Sequence, residues 1–178
     1  MTGEDGGMAA EGARAAEEPR PADEEVRWLE PAELEAWLAL AALLFKLPGA
    51  LDYQLQRDSD LTHFEYLVMA GLSESPGHSR RMSDLAGFAN GSLSRLSHVV
   101  KRLEKRGFVV RRPSEEDGRI TVATLTAAGY AQVVAAAPGH VATVREYVID
   151  ALTPEQLAQL KAIGAAIHQK LDPSAGPC

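Results

Sequence analysis

With 178 residues and 46% apolar content, the chain can form one domain of ordinary size with its own core, and its many Ala and Leu residues favour packed helices. Its formal charge of −7 argues against a nucleic-acid partner unless the charge is unevenly distributed. The longest apolar run, Trp37–Phe45, is far short of the ~20 residues of a membrane span. No signal peptide is recognised, and the single cysteine, Cys178, cannot form an internal disulfide, so we expect a cytoplasmic protein with no membrane segment.

The N-terminal part predicts a tail followed by helix. Residues 1–25 hold eight Asp or Glu against two Arg and lack apolar periodicity, which predicts a disordered acidic tail before a domain at 26–178. Apolar residues at helical spacing predict a first helix from Pro31 to about Leu47. Pro48-Gly49 is expected to interrupt it, with a second helical stretch continuing to about Arg57.

The middle of the chain predicts a helix-turn-helix. Thr62 and Glu65 form a capping box for a helix ending near Leu72. Ser83 is predicted to cap a short helix from Asp84 to Phe88. A tight turn at 89–91 then leads into a helix from about Ser92 to Arg106, where Gly107 takes the left-handed position at its end.

A hairpin and two long helices complete the predicted order. Strands are expected at 108–112 and 119–125, joined by a loop at 113–118. Thr126 should cap a helix from Ala127 to Ile149, which Pro138-Gly139 should kink or split. Thr153, with Pro and Gln in the next turn, should start the final helix, which ends near Leu171.

The helix from Ser92 to Arg106 is amphipathic. At ~100° per residue, one side carries a predicted buried stripe of Leu93, Leu96, Val100 and Leu103. The opposite side is polar and basic: Ser94, Arg95, His98, Lys101, Arg102 and Lys105. Such a helix suits a major groove, with its first residues at base edges and its later ones at phosphates. An ordinary surface helix with a basic outer face stays open as the alternative.

The hairpin favours the first interpretation. Its loop is followed by Arg119, which suits a narrow minor groove, and Asp117 can hold the guanidinium in a charge-assisted pair. Between Arg80 and Arg119, ten Arg or Lys stand against five acidic residues, which is typical of a local anion-binding surface. The candidate DNA-binding residues are therefore Ser92, Ser94, Arg95, His98, Lys101, Arg102, Asp117 and Arg119.

Five short motifs carry a resemblance to a known family. They are Met82-Ser83-Asp84-Leu85-Ala86, Ser94-Arg95-Leu96-Ser97-His98, Leu103-Glu104-Lys105-Arg106-Gly107-Phe108-Val109, Asp117-Gly118-Arg119 and Leu125-Thr126-Ala127-Ala128-Gly129. In order and spacing they resemble the MarR family of winged helix-turn-helix transcriptional regulators. The most specific combination is the Asp-x-Arg wing followed by Leu-Thr-x-x-Gly.

The resemblance implies a mainly α (α+β) fold with a winged helix-turn-helix lobe at 62–125 and dimerisation helices at 31–57 and 127–171. It also implies a homodimer that binds double-stranded DNA at a pseudo-palindromic operator, as a repressor whose affinity is controlled by a small, often phenolic, ligand or by oxidation. This chain departs from the family in two ways. The family often has Arg where this chain has His98, and this chain lacks the cysteine on which peroxide-sensing members rely.

Other functions find little support in the sequence. No phosphate loop, Ser/His/Asp order or paired carboxylate motif indicates an enzyme, and the scattered histidines do not suggest a metal or cofactor. Trp28, Trp37 and Tyr66 are candidates to line a pocket for an aromatic ligand, although core packing is the simpler interpretation. The alternative function is a winged-helix module for protein interaction or DNA architecture without operator specificity.

Overall fold

A computed structural model describes residues 26–115 and 117–172, so the predicted acidic tail and Cys178 lie outside the described residues. Backbone packing divides the chain into two units, Met1–Leu38 and Ala39–Cys178, and the division falls inside the first helix. In the first unit, residues 26–30 precede the opening turns of that helix, and both Trp28 and Trp37 are exposed.

The described chain is mainly helical with a small antiparallel sheet. In chain order the elements are α1 (Pro31–Ser59), α2 (His63–Ser73), a 3-10 turn (Pro76–His78), β1 (Ser79–Arg81), α3 (Met82–Phe88), α4 (Leu93–Lys105), β2 (Val109–Pro113), β3 (Thr121–Leu125), α5 (Ala127–Val144), a π-helical turn (Arg145–Ile149) and α6 (Pro154–Leu171). The predicted order of helices and hairpin is confirmed.

The predicted interruption at Pro48 was wrong, because α1 continues from Pro31 to Ser59. Of the two outcomes predicted for Pro138, the split does not occur, since α5 runs through it from Ala127 to Val144. Both prolines are exposed, so water can hydrate the carbonyl that each leaves without its helical donor. The irregularity in the α5 region comes later, as the π-helical turn at Arg145–Ile149.

The uninterrupted α1 changes the expectation about membranes. It is the one helix in the described part of the chain that is long and apolar enough, by length and composition, to cross a bilayer. A single helix near the N-terminus gives weak support for a span, since helices of other proteins pass the same test. Its last turns instead bury Leu51, Gln54 and Leu55 in the protein.

The three strands pair in the order β1-β3-β2, all antiparallel. The strand β1 was not predicted from the sequence: it has only three residues and is ordered by pairing with β3. Ser83 was also wrongly predicted as a cap: α3 begins at Met82, and the Ser83 hydroxyl donates to Asp84 instead. The core lies between α2, α3, α4, the sheet and the start of α5, with fully buried side chains at Leu61, Val68, Met69, Leu72, Leu85, Leu96, Val100, Leu103 and Val109.

The predicted caps form, apart from that of α3. Thr62 and Glu65 make the capping box of α2, and Thr153 and Gln156 make that of α6. Gly107 ends α4 with a φ of 76°. At the start of α5 a Cβ on Gly129 would lie 2.1 Å from the Phe108 carbonyl oxygen, so the helix can approach the sheet this closely only with glycine.

Candidate nucleic-acid interface

The helix-turn-helix is built by a tight turn and a cap. Asn90 takes a φ of 47° in the turn between α3 and α4. A Cβ on Gly91 would lie 2.8 Å from the Phe64 ring, so the turn packs directly against α2. Ser92 then caps α4, its hydroxyl oxygen accepting from the Arg95 backbone N–H at 3.2 Å. These contacts set where α4 begins.

One member of the predicted buried stripe of α4 was wrong. Leu96, Val100 and Leu103 are fully buried, but Leu93 is 53% exposed, and Val99 is buried instead. Leu93 lies in the first turn of α4, and a helical wheel gives the direction of each side chain but not which other elements cover it. The opposite face is exposed as predicted, with Ser94, Arg95, His98, Lys101, Arg102 and Lys105 all on it.

Two arginines of this face already have partners inside the lobe. The Arg95 guanidinium lies 4.2 Å from the centre of the Phe64 ring. Arg102 Nε donates to Glu65 Oε1 at 3.1 Å, and Glu65 is only 4% exposed. Glu65 is therefore a buried anion that Arg102 neutralises, a link between α2 and α4 that no local sequence signal predicts.

The C-terminal end of α4 is fixed at two points. Arg106 donates to the Asp60 carbonyl oxygen at 2.7 Å and to its carboxylate at 3.2 Å. Glu104 accepts from the backbone N–H and Nε of Arg111 on β2, at 2.9 and 2.8 Å. These hydrogen bonds hold the pKa of the Glu104 carboxyl below its ordinary value. The orientation of the wing is thereby set relative to α4.

The predicted pair at the wing forms. Arg119 donates from Nε and Nη2 to the two Asp117 carboxylate oxygens at 3.1 and 3.0 Å, and its backbone N–H adds a third bond at 3.0 Å. Hydrogen bonds from Arg119 lower the pKa of Asp117, and the Arg81 charge makes a smaller contribution. The Arg119 side chain is 92% exposed, so it is oriented by Asp117 but accessible to a ligand.

A concavity of about 640 Å³ lies beside the first half of α4. Its charged and polar lining includes the acidic Asp52 as well as His63, Arg95, His98 and Arg102. None of the aromatic residues proposed from sequence lines it: Trp28 and Trp37 are exposed, and Tyr66 is buried with its ring 4.6 Å from that of His140. No group of three or more His, Cys, Asp or Glu side chains that could hold a metal occurs among the described residues.

Comparison with known proteins shows which family and which solved structures the chain is similar to. A sequence profile described as MarR family matches residues 61–121. The structure of Sco3205 in complex with DNA, a MarR family transcriptional regulator from Streptomyces coelicolor, is 42% identical with a TM-score of 0.81, over 85% of this chain and 95% of that one. AbsC, a MarR family transcriptional regulator from the same organism, is 38% identical with a TM-score of 0.79, over 84% of this chain and 100% of that one.

A further relative is YdcH of Bacillus subtilis (strain 168), described as an uncharacterized HTH-type transcriptional regulator. It is 32% identical over 81 residues, which span 44% of this chain and 55% of YdcH. The match therefore covers about half the length of that relative.

Proposed function

The chain belongs to the MarR family of transcriptional regulators, and we propose that it is a sequence-specific repressor that binds double-stranded DNA as a homodimer. The observation that carries the proposal is a basic outer face on α4 joined through Glu104 and Arg111 to a wing that presents the oriented Arg119. Sco3205, which shares this fold, has been crystallised with DNA. The place of action proposed is the cytoplasm, and no enzymatic activity is proposed.

The proposed contacts fall into two groups. Ser94, Arg95 and His98 lie on the first turns of α4 and would face base edges in the major groove, with Lys101 and Arg102 at phosphates. Ser92 would contact a phosphate while its oxygen caps the helix. Arg119, supported by Asp117, would enter the minor groove, where the potential is most negative.

The proposed dimer rests on the exposed faces of the terminal helices. Within Pro154–Leu171 no residue of α6 is buried, and one side carries the exposed residues Leu160, Ile163, Ile167 and Leu171. In α1, Leu43, Leu44 and Phe45 are 58–85% exposed. A second copy covering the regions 31–57 and 127–171 would bury these side chains and place two α4 helices about one DNA turn, ~34 Å, apart. The operator would then be pseudo-palindromic.

A small ligand is the proposed regulator of DNA affinity. The concavity beside α4 has cationic groups at Arg95 and Arg102 and apolar walls that include Phe64 and Leu67, which suits an aromatic carboxylate or phenolate. Because Arg95 and His98 line this concavity and are also proposed DNA contacts, an occupant would compete with DNA for these side chains.

The test begins with selection of binding sites from random DNA, followed by titration of base-substituted operators. Arg119→Ala should lower affinity for most operators alike and reduce the salt slope by about one unit. Arg95→Ala should cost roughly 1–3 kcal/mol on the best operator and less where the contacted base is already changed. His98→Ala should have a smaller effect, since an imidazole presents one nitrogen at its exposed edge, whereas a guanidinium can make paired hydrogen bonds.

Two outcomes would contradict the proposal. Failure to prefer the selected operator over unrelated DNA would favour the architectural or protein-interaction module, since specific sites commonly bind ~10³-fold or more tightly than random DNA. If Arg95→Ala weakened every operator equally while Arg119→Ala relaxed preference at one major-groove base pair, the two assignments would be reversed.

A further inference from the structure

The outer face of the sheet carries two arginines that none of the proposed contacts uses. Consecutive strand residues point to opposite faces. Arg111 points towards α4, where it pairs with Glu104, so its neighbour Arg112 points away from α4. The register places Arg112 opposite Val122 on β3, and Arg81 on β1 opposite the same residue. Arg81 and Arg112 therefore flank Val122 on one face.

The spacing of this pair suits a polyanion. The two arginines are two strands apart, which corresponds to roughly 9–10 Å between their backbones. Both are exposed, whereas Val122 between them is half-buried. A DNA duplex presents one phosphate for each ~3.4 Å of axis along a strand, so this gap matches a short run of consecutive phosphates. Guanidinium groups bind phosphate oxygens in pairs of parallel hydrogen bonds.

The surface between the arginines is concave. Among the described residues, the lining of a depression of about 480 Å³ includes Arg80, Arg81 and Arg112 together with the acidic Glu115. Arg80 belongs to the other face, where its guanidinium lies 4.9 Å from the centre of the Phe88 ring. The floor also holds Ser79 and Thr124, whose hydroxyl oxygens are 2.7 Å apart. The Ser79 hydroxyl also donates to the Gly77 carbonyl oxygen at 3.1 Å, so the Thr124 hydroxyl donates to Ser79 and neither hydrogen is left for a ligand.

We propose that Arg81 and Arg112 form a phosphate clamp for duplex DNA that continues beyond the groove entered by Arg119. The clamp rests on the proposed function. It extends the DNA-contacting surface of the protein to the side of the wing that faces away from α4. Continuity between clamp and wing tip supports it, because the charge of Arg81 reaches the Asp117 carboxylate that orients Arg119. The clamp reads no bases; it adds affinity for DNA that flanks the operator.

The experiment compares two duplexes that carry the same selected operator. The short one ends at the minor grooves reached by the wings, and the long one extends ~10 base pairs further at each end. Wild-type protein should bind the long duplex about tenfold more tightly at low salt, with a steeper salt slope by about 0.9 for each phosphate contacted. Arg81→Ala/Arg112→Ala should bind both duplexes equally. Arg81→Lys/Arg112→Lys should retain part of the difference, because the charge remains.

Matched controls separate this clamp from net charge and from the wing tip. Arg27→Ala removes an exposed cation outside the regions proposed for the dimer and for DNA contact, and should keep the wild-type ratio. Arg119→Ala should weaken both duplexes and also keep the ratio. Unchanged melting temperatures show that the variants fold.

Three results decide between the possibilities. Equal binding of the two duplexes by wild-type protein would overturn the clamp while leaving operator binding intact. Binding of inorganic pyrophosphate that the double alanine variant abolishes, with no effect of duplex length, would assign the depression to a free anion instead. If wild-type protein showed no preference for the selected operator, the proposed function itself would fail.

Discussion

The winged lobe and the terminal helices bury their apolar side chains in different ways. Within the lobe, α2 and α4 contribute fully buried side chains such as Met69, Leu96 and Leu103 to one core. Along α6, by contrast, Ile163 and Ile167 remain 56% and 40% exposed although their spacing is that of an amphipathic helix. The lobe completes its core within one chain, whereas the ends present apolar faces.

This difference predicts two kinds of stability. A core formed within one chain loses stability on truncation by an amount independent of protein concentration. Apolar faces covered only by association contribute free energy that depends on protein concentration. Substitutions in the two regions should therefore be distinguishable by dilution alone.

The largest expected effect is that of Leu96→Ala in the centre of the lobe. Leu96 has no exposed surface, so truncation removes buried methyl groups and leaves a cavity. The free energy of unfolding should fall by about 2–5 kcal/mol, equally in dilute and concentrated protein. Denaturant titration monitored by circular dichroism measures it.

Leu93→Ala is the matched control on the same helix. Leu93 is 53% exposed, so its truncation should cost well under half as much. Equal losses at both positions would mean that α4 is covered along its first turn in solution, and the lobe would then not be self-contained.

The second-largest expected effect is a weaker dimer after substitutions in the terminal helix α6. Ile163→Ser/Ile167→Ser removes two apolar side chains from each α6 of the proposed dimer. The dimer should lose about 2–4 kcal/mol, which raises its dissociation constant roughly 30- to 1000-fold. Sedimentation equilibrium measures the constant. Ala165→Ser, on the opposite side of α6, should leave it unchanged, and a wild-type monomer at micromolar concentration would contradict the comparison.

Local signals in the sequence were sufficient to predict where most helices begin or end. Thr62, Thr153 and Gly107 act through groups within a few residues along the chain, so their effect does not depend on tertiary context. The Asp117–Arg119 pair was predictable for the same reason, since only two residues separate the partners.

What the sequence did not predict depends on distant parts of the chain. Pro48 and Pro138 lie at exposed positions, which depend on how the rest of the chain folds, so water can hydrate the carbonyl that each leaves without its helical donor. The strand β1 forms by pairing its three residues with β3, about 40 residues later. The exposure of Leu93 and the burial of Val99 depend on which elements pack against α4. None of these has a signature in its own window of sequence.

The link between Arg102 and Glu65 is the third expected effect, and it sharpens the comparison inside the lobe. Arg102→Ala leaves a buried carboxylate without its counter-charge, although the Thr62 backbone N–H still donates to it at 2.9 Å. Because the Arg102 side chain is 57% exposed, the cost should be about 1–2 kcal/mol rather than that of a fully buried pair. Thermal denaturation measures the change.

Glu65→Gln separates this positioning role from phosphate binding. Glutamine also completes a capping box, so it should keep the α2 cap while removing the buried charge. Arg102→Ala should then cost less in the Glu65→Gln background than alone. If Arg102→Ala lowered DNA affinity in both backgrounds and never changed stability, Arg102 would act only as a phosphate contact.

The smallest expected effect lies where the lobe meets α5. The rings of His63 and His140 are 5.8 Å apart and half-buried, and His140 Nδ1 is buried with no hydrogen-bond partner. Burial lowers the pKa of both imidazoles; the nearby Asp52 charge partly opposes this at His63, and the neighbouring His63 lowers that of His140 further. The folded protein therefore favours neutral rings.

The sign of the pH dependence follows from these lowered values. Below the unfolded pKa of His, about 6.5, the unfolded chain binds protons that the folded protein does not, so stability is greatest above it and falls as the solution is acidified. Between about pH 7.5 and about pH 5.5 the free energy of unfolding should fall by at most ~1 kcal/mol, since both rings retain some contact with water.

His140→Phe keeps the ring against Tyr66 and removes both the buried nitrogen and the second charge, so the melting temperature should vary less with pH. A flat wild-type profile, or one that His140→Phe leaves as steep as before, would mean that this junction opens to water and is not closed as tightly as the core of the lobe.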